Sequence, residues 1–299
     1  MKLALKLGYL QVAILLIFMA SLQAQSDTGK IRIIMIGAHP DDCDIGSGGT
    51  AAWFASMGYP VKFVSVTNGD AGHQTDKGET LARRRYAEAQ EAARRLGISY
   101  DVLNNHDGLL LPTLEVRLQI IKEIRDWKAD IVIAPRPNDY HPDHRYTGIL
   151  VQDAAYMVAV PNIAPETPAL KKNPVFLYFQ DHFQRPNPFR PDIAINIDPV
   201  FDKKINGLDA HESQFYEWLP WIGHYSDQVP KNKADRKKWL AEARTIPITT
   251  DVRNSLIRWY GRDKGLEVKH AEAFEICEYG TQPGDDEIRR LFPMLGKKN

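Results

Sequence analysis

Ile31-Arg32-Ile33-Ile34-Met35-Ile36-Gly37-Ala38-His39-Pro40-Asp41-Asp42 is the stretch on which the fold turns. Its first six residues, 31–36, form an apolar, β-branched run closed by Gly37, which reads as a buried strand. Residues 45–57 follow as a predicted helix, opened by the small residues from Gly46 to Thr50. Residues 61–66 read as a second strand that runs out into Thr67, Asn68, Gly69 and Asp70. Residues 80–96, rich in Ala, Arg and Glu, read as a strong helix stopped at Gly97. A weaker strand at 100–103, a helix at 114–127 and a strand at 131–134 complete the alternation. Pro135 and Pro137 close the last strand. Strands alternating with helices predict an α/β fold, here a Rossmann-like three-layer sandwich with a mostly parallel central sheet and helices on both faces. Such sheets bind ligands beyond the carboxyl ends of their strands, where the strand order reverses, so the loops after 31–36 and 131–134 carry the most weight.

Beyond residue 160 the pattern loosens. Residues 161–174 hold four prolines and read as a loop. Strands are expected at 175–179 and 193–197, a helix within 199–218, two helical pieces within 230–262, and a last strand at 271–277. No repeat or low-complexity tract is evident.

Two short motifs stand at the favoured strand ends. Ala38-His39-Pro40-Asp41-Asp42 follows the first strand directly, and His141-Pro142-Asp143-His144 comes shortly after the 131–134 strand. Imidazoles and carboxylates together suit a zinc-like divalent ion. A catalytic zinc takes about three protein ligands and keeps a position for water. The two motifs supply more groups than that, and the surplus suits a base for the water and a donor for an oxyanion or leaving group. Either motif alone also reads as a packed histidine beside a helix-capping aspartate. The pair is harder to dismiss, and Asp41, Asp42 and Asp44 beside a buried strand would be costly without a neutralising cation.

The two motifs resemble those of the PIG-L/LmbE-like deacetylase family, and further residues extend the resemblance over about residues 31–280. Gly48-Gly49-Thr50 is similar to the family's motif at the start of its first helix. Arg85 and Glu88, followed by Ala92 and Leu96-Gly97, resemble its second helix, and His211, Ser213 and Gln214 resemble its HxSQ pattern. The resemblance implies His39, Asp42 and His144 as metal ligands and Asp41 as general base. It implies His141 as the group that stabilises the tetrahedral intermediate or protonates the leaving amine, with Asp143 orienting that imidazole. It implies zinc, with iron(II) or cobalt(II) as other divalent choices, and removal of an N-acetyl group from an amino-sugar-containing small molecule or glycan. Asp44 stands where many members have Glu, and Asn138-Asp139-Tyr140 is not general to the family.

Four more residues are candidates for substrate binding. Arg85 reads either as a solvated helix residue beside Arg83 and Arg84 or as a partner for hydroxyls or an anionic group. Asp70 and His73 follow the second strand, and Tyr140 adjoins the second motif. Trp218, Trp221 and Tyr225 read either as core residues or as platforms for sugar faces. Competing functions remain a metallo-amidase or esterase acting on another acyl group, and a non-catalytic carbohydrate-binding protein. Retention of both Asp41 and His141 argues against the last.

The start of the chain has a different character. Lys2 and Lys6 precede an apolar run over 12–22, and Ala24 then precedes polar residues. This is the order of a secretory signal over residues 1–24. The run is too short to span a bilayer core of about 30 Å comfortably, and the alternative reading is an uncleaved membrane anchor. The expected product is an exported, periplasmic or secreted single domain, residues 25–299, with no stable membrane insertion. Of the 299 residues 43% are hydrophobic and 25% charged, with a formal net charge of zero, so the basic footprint of a nucleic-acid binder is absent. Two cysteines, Cys43 and Cys277, make no disulfide framework and read as free thiols, although export would allow a bridge.

Overall fold

The computed structural model describes residues 29–296, and the expected signal over residues 1–24 lies outside them. The unit that begins at Arg32 is built on a seven-stranded sheet of order β3-β2-β1-β4-β5-β7-β6. The strands are β1 (Ile33–Gly37), β2 (Val61–Thr67), β3 (Ser99–Asn105), β4 (Ile131–Ala134), β5 (Val175–Phe179), β6 (Ile193–Asn196) and β7 (Ala271–Gly280). β1 to β5 pair in parallel, with Ile33 opposite both Val61 and Ile131. β7 runs antiparallel between β5 and β6. The mostly parallel three-layer α/β fold is therefore the one expected, with an antiparallel extension on one side.

The apolar strands are buried on both faces. Ile34, Ile36, Val64, Val66 and Val132 pack against Ile120, Ile121 and Ile124 of α3 (Leu114–Asp126) and against Leu150, Val151 and Ala154 of α4 (Pro142–Met157). On the other face lie α1 (Asp42–Ser56) and α2 (Gly78–Leu96), with the Ser47 hydroxyl against the Met35 sulfur at 2.9 Å. Gly97 ends α2 at φ +80°, a conformation that favours glycine. The small residues of α1 permit close approach, since a Cβ on Gly49 would stand 2.9 Å from Ile197. The proline-rich segment 161–174 is fastened by Arg125, whose guanidinium donates to carbonyls including Val158, Val160, Ala164 and Thr167.

Two local expectations need correction. α4 begins inside the second motif and was not expected as a helix. The single helix expected within 199–218 is divided into α5 (Phe201–Leu208) and a widened π turn, Ser213–Trp218, that leads into α6 (Leu219–Ile222). Pro220 supplies the reason: it has no N–H to offer the Tyr216 carbonyl four residues earlier, and its ring crowds that carbonyl, so the turn widens. The charged 230–262 region folds as α7 (Lys233–Ala243) and α8 (Thr250–Tyr260), followed by α9 (Arg262–Glu267), and α10 (Asp285–Leu291) follows β7. Cys43 and Cys277 are both buried free thiols.

Candidate metal centre and active site

The strand order places the site. From β1 the chain proceeds to β2 and β3 on one side, while β4 and β5 lie on the other, so the order reverses between β1 and β4. Both motifs emerge at that crevice.

The first motif folds back on itself. A Cβ on Gly37 would lie 2.7 Å from the Asp42 Cβ, so only glycine lets the turn close. Asp42 Oδ2 then accepts the backbone N–H groups of Ala38 and His39 at 2.8 and 2.7 Å. Burial pushes this carboxylate up, but His144 and His39 outweigh burial and hold it well below the usual carboxylate range.

Each imidazole is oriented by a carboxylate. His39 Nε2 meets Asp107 Oδ1 at 3.2 Å and Asp143 Oδ2 at 3.3 Å, which assigns the proton to Nε2 and frees Nδ1. His144 Nδ1 donates to Asp139 Oδ1 at 3.0 Å and frees Nε2. The freed atoms converge. His39 Nδ1 is 3.2 Å from His144 Nε2 and 3.5 Å from Asp42 Oδ2, and His144 Nε2 is 3.4 Å from Asp42 Oδ1. Tetrahedral zinc, with bonds of about 2.0–2.2 Å, needs ligand atoms about 3.3–3.6 Å apart. The donor set fits a divalent cation, and carboxylates behind both imidazoles are the usual support for such ligands. The field points the same way. Burial lowers His39 and His144, yet the carboxylates prevail and raise both, His144 to about 10, so the spot favours positive charge.

Among the described residues, the groupings in which one ligand atom from each residue lies within 4.8 Å of the others are His39, His141 and His144, and His39, Asp107 and Asp143; Asp42 instead meets His39 through Oδ2 and His144 through Oδ1. The hydrogen bonds favour the trio of His39, Asp42 and His144. Asp107 and Asp143 occupy the far nitrogen of His39, and His141 Nδ1 already accepts the Asp143 N–H at 3.2 Å as it caps α4. Burial, His39 and His144 push His141 down, so it is a neutral imidazole with its proton on Nε2. Its ring stands edge-on to His39, with centroids 4.7 Å apart.

Asp41 lies beside this cluster, buried, with Oδ1 accepting Arg85 Nη2 at 2.8 Å. Burial pushes Asp41 up and the Arg85 charge restrains the rise. Arg85 is only 2% exposed and also donates to the Pro40 carbonyl at 2.9 Å. One helical turn on, Glu88 accepts the Ser213 N–H at 2.9 Å and its hydroxyl at 2.5 Å. Gln214 donates to the Gly72 carbonyl at 3.1 Å, and His211 is fully buried with Nε2 3.3 Å from Asp44. The two helix residues thus lock the base on one side and the π turn on the other.

His39, Asp41, Asp42, Arg85, His141 and His144 line a cavity of about 540 Å³ together with Tyr140, Phe179, Arg136, Gln214, Trp218, Leu219 and Ile222. Tyr140 is 72% exposed and stands edge-on to His141 and His144. Trp218 stacks on Trp221, with centroids 5.5 Å apart.

Four of the expected site residues are placed otherwise. The Asp143 carboxylate serves His39, not His141; only its backbone N–H meets His141. Arg85 holds Asp41 from within instead of presenting a free charge to substrate. Asp70 is spent on the neighbouring loop, accepting the Asp107 N–H at 3.0 Å and pairing with His106 at 2.6 Å. His73 Nε2 meets Glu217 at 2.9 Å with its side chain 2% exposed. Neither Asp70 nor His73 lines the cavity. Asp107 and Asp139 went unforeseen. Asp107 lies just past the end of β3, where the strand-end rule applies as it does to the motifs, and Asp139 lies five residues before His144. Burial works against the charge on Asp107, yet the His39 hydrogen bond holds it at about 2.

Comparison with known proteins agrees with this geometry. Residues 34–155 match the PIG-L family, described as GlcNAc-PI de-N-acetylase. The diacetylchitobiose deacetylase of Thermococcus kodakarensis is 33% identical over 207 residues, which is 64% of this chain and 74% of that protein. A probable N-acetyl-alpha-D-glucosaminyl L-malate deacetylase of Bacillus cereus is 27% identical over 70% of this chain and 94% of its own length. Among solved structures, the N,N'-diacetylchitobiose deacetylase of Pyrococcus horikoshii superposes with a TM-score of 0.61 at 26% identity, covering 85% of this chain and 88% of that one. A 4-oxalmesaconate hydratase of Pseudomonas putida is 24% identical over 66% of this chain and 79% of its own length. With the motifs, their geometry and these relatives together, the chain belongs to the PIG-L/LmbE-like deacetylase family.

Proposed function

We propose that the protein is a metal-dependent N-deacetylase, with zinc as its cation, that hydrolyses the acetamide of an amino-sugar-containing substrate outside the cytoplasm. The observation that carries this is Asp41, a buried carboxylate on the cavity wall that is not needed by the metal trio and is held in place by Arg85. Relatives that act on N-acetylated sugars support the substrate class, and the charged, apolar, then small-residue order of positions 1–24 supports export.

A divalent cation held by His39, Asp42 and His144 would acidify water and polarise the amide carbonyl. Asp41 takes the proton from the water, and its raised affinity for protons suits that task. Arg85 fixes the carboxylate toward the cavity. Neutral His141 donates its Nε2 proton as a hydrogen bond to the developing oxyanion. Asp41 then returns a proton to the departing nitrogen, giving acetate and a free amine. Asp139, Asp143 and Asp107 take no part in proton transfer and keep the two ligand imidazoles in the required tautomers. Trp218 and Tyr140 offer flat faces to a sugar ring.

The resemblance to a hydratase keeps a second reading in view, since the same water activation serves other substrates and fold alone does not choose among them. Acetate release from a panel of N-acetylated sugars decides between them. Release that is lost on chelation, restored by zinc and lost again in Asp41→Asn supports the deacetylase. Failure with every sugar, metal still bound, sends the search to other amides, to esters and to hydration of double bonds.

A further inference from the structure

A second and larger concavity, about 800 Å³, opens beyond the catalytic cavity between β7, α8 and the segment 187–192. The two share a wall. Arg136, which lines the catalytic cavity and is bound by Asp181, donates from Nη1 to the Asn187 carbonyl at 2.9 Å and approaches Glu275 at 3.7 Å, and both of those residues line the second groove.

The chemistry of the groove is specific in sign. Asp192, Asp251, Glu275 and Glu278 supply four carboxylates against two guanidinium groups, and both guanidinium groups are committed: Arg190 pairs with Asp192 at 2.9 Å and Arg258 with Asp285, outside the groove, at 2.8 Å. Asp251 and Glu278 form no ion pair among the described residues. Phe189 and the half-exposed Tyr279 add aromatic faces, and Asn254 adds an amide. A further sign of a missing ligand lies in the wall. Ser255 is 6% exposed, and its hydroxyl has no hydrogen-bond partner although it lines the groove. A buried hydroxyl without a partner is a cost that a ligand hydroxyl would remove.

We infer that this groove binds a cationic amino-sugar unit, that is, a de-N-acetylated residue of the glycan whose next N-acetyl group is presented to the catalytic cavity. The inference rests on the deacetylase reading, because that reaction makes such units: each acetamide removed leaves an amine that is protonated at neutral pH. Carboxylates and an aromatic face recognise an ammonium-bearing sugar ring, and a neutral acetamide gains nothing from the unpaired charges. The groove therefore favours chains that have already been partly deacetylated.

Calorimetry on the full-length, metal-loaded chain carrying Asp41→Asn tests this without turnover. The probes are a tetramer of β-1,4-linked glucosamine and its fully N-acetylated counterpart. The free-amine tetramer is expected to bind more tightly, and salt is expected to erode the difference. Adding Asp251→Asn with Glu278→Gln, both at exposed positions, is expected to weaken the free-amine tetramer about five- to tenfold and leave the acetylated one unchanged. In the chain with Asp41 intact, the same double substitution leaves acetate release from a single N-acetylated sugar unaltered. Equal binding of the two tetramers to the unsubstituted groove, or a preference that survives the double substitution, overturns the proposal. The two readings fail separately. A chain that releases no acetate from any sugar yet loses its amine preference on the double substitution retains the groove and loses the deacetylase; a chain that releases acetate but has no groove-dependent preference does the reverse.

Discussion

One wall of the catalytic cavity is made of strand ends, and the other of a widened helical turn. On the strand-end wall, His39 and Asp42 follow β1, and His141 and His144 open α4 just beyond β4. Parallel pairing of β1 with β4 fixes the two loops against each other, and each ligand is held again by a carboxylate or by backbone N–H groups. On the facing wall, Gln214, Trp218, Leu219 and Ile222 come from the π turn and α6. That wall is tied down by a few long-range contacts, among them Glu88 to Ser213 and Arg84 to Glu217 at 2.5 Å. The difference separates two tasks. Reacting groups need placement to a fraction of an ångström, which a sheet supplies, whereas a wall that selects substrate tolerates exchange of aromatic and aliphatic side chains.

The sharpest way to break this comparison is to remove the base from the strand-end wall. Asp41→Asn is expected to lower kcat for acetate release by about 10²- to 10⁴-fold, the usual worth of a positioned general base. Metal content, read by elemental analysis, is expected to stay the same, because Asp41 is not among the three converging ligands. Activity that survives the change would mean that water is activated elsewhere.

Next in size is the support behind the ligands. Asp139→Ala removes the acceptor of His144 Nδ1–H. Affinity for zinc, titrated into chelated protein, is expected to fall about 10- to 100-fold. An unchanged affinity would show that His144 needs no orienting carboxylate and would weaken the claim that the wall is doubly held.

The facing wall predicts a different signature. Trp218→Ala removes one ring of the stacked pair at the cavity. KM for the sugar is expected to rise about three- to tenfold, consistent with roughly 0.5–1.5 kcal/mol for one aromatic contact, while kcat changes little. A fall in kcat with constant KM would place this wall in the chemistry.

The same contrast explains what could be read in advance. β1 and β4 are continuous apolar runs, and the motifs at their ends declare imidazole and carboxylate within a few residues, so the strand-end wall was legible from local sequence alone. α4 escaped notice because its first turn is the motif itself and begins with Pro142, which suits a helix start only once His141 is seen as its cap. The antiparallel insertion of β7 between β5 and β6 is a pairing across about a hundred residues, for which no local pattern exists. Asp107 and Asp139 were missed for a related reason: each is a lone aspartate in a loop, and its value depends on which imidazole the fold brings to it. The π turn followed from Pro220, a visible signal whose consequence lies upstream of it.

The smallest expected effect tests the sorting of residues between wall and scaffold. His73 stands after the second strand, as a cleft residue would, yet its imidazole is almost fully covered. Its Nε2 meets Glu217, and its Nδ1 accepts the Asp76 N–H at 3.0 Å. Burial raises Glu217, and Arg84 and His73 more than offset that and keep it low, so the pair sits within a charged strap that holds the π turn from behind. His73→Gln keeps an amide in reach of both partners and is expected to leave kcat/KM within about threefold, with a stability loss of about 1 kcal/mol seen in thermal unfolding. A hundredfold loss of kcat/KM at unchanged Tm would require His73 to reach the substrate, and the strap would then have to swing away during the reaction. A modest rise in KM alone would instead be transmitted through Glu217 to its neighbour Trp218, which is what a substrate wall held by few contacts should allow.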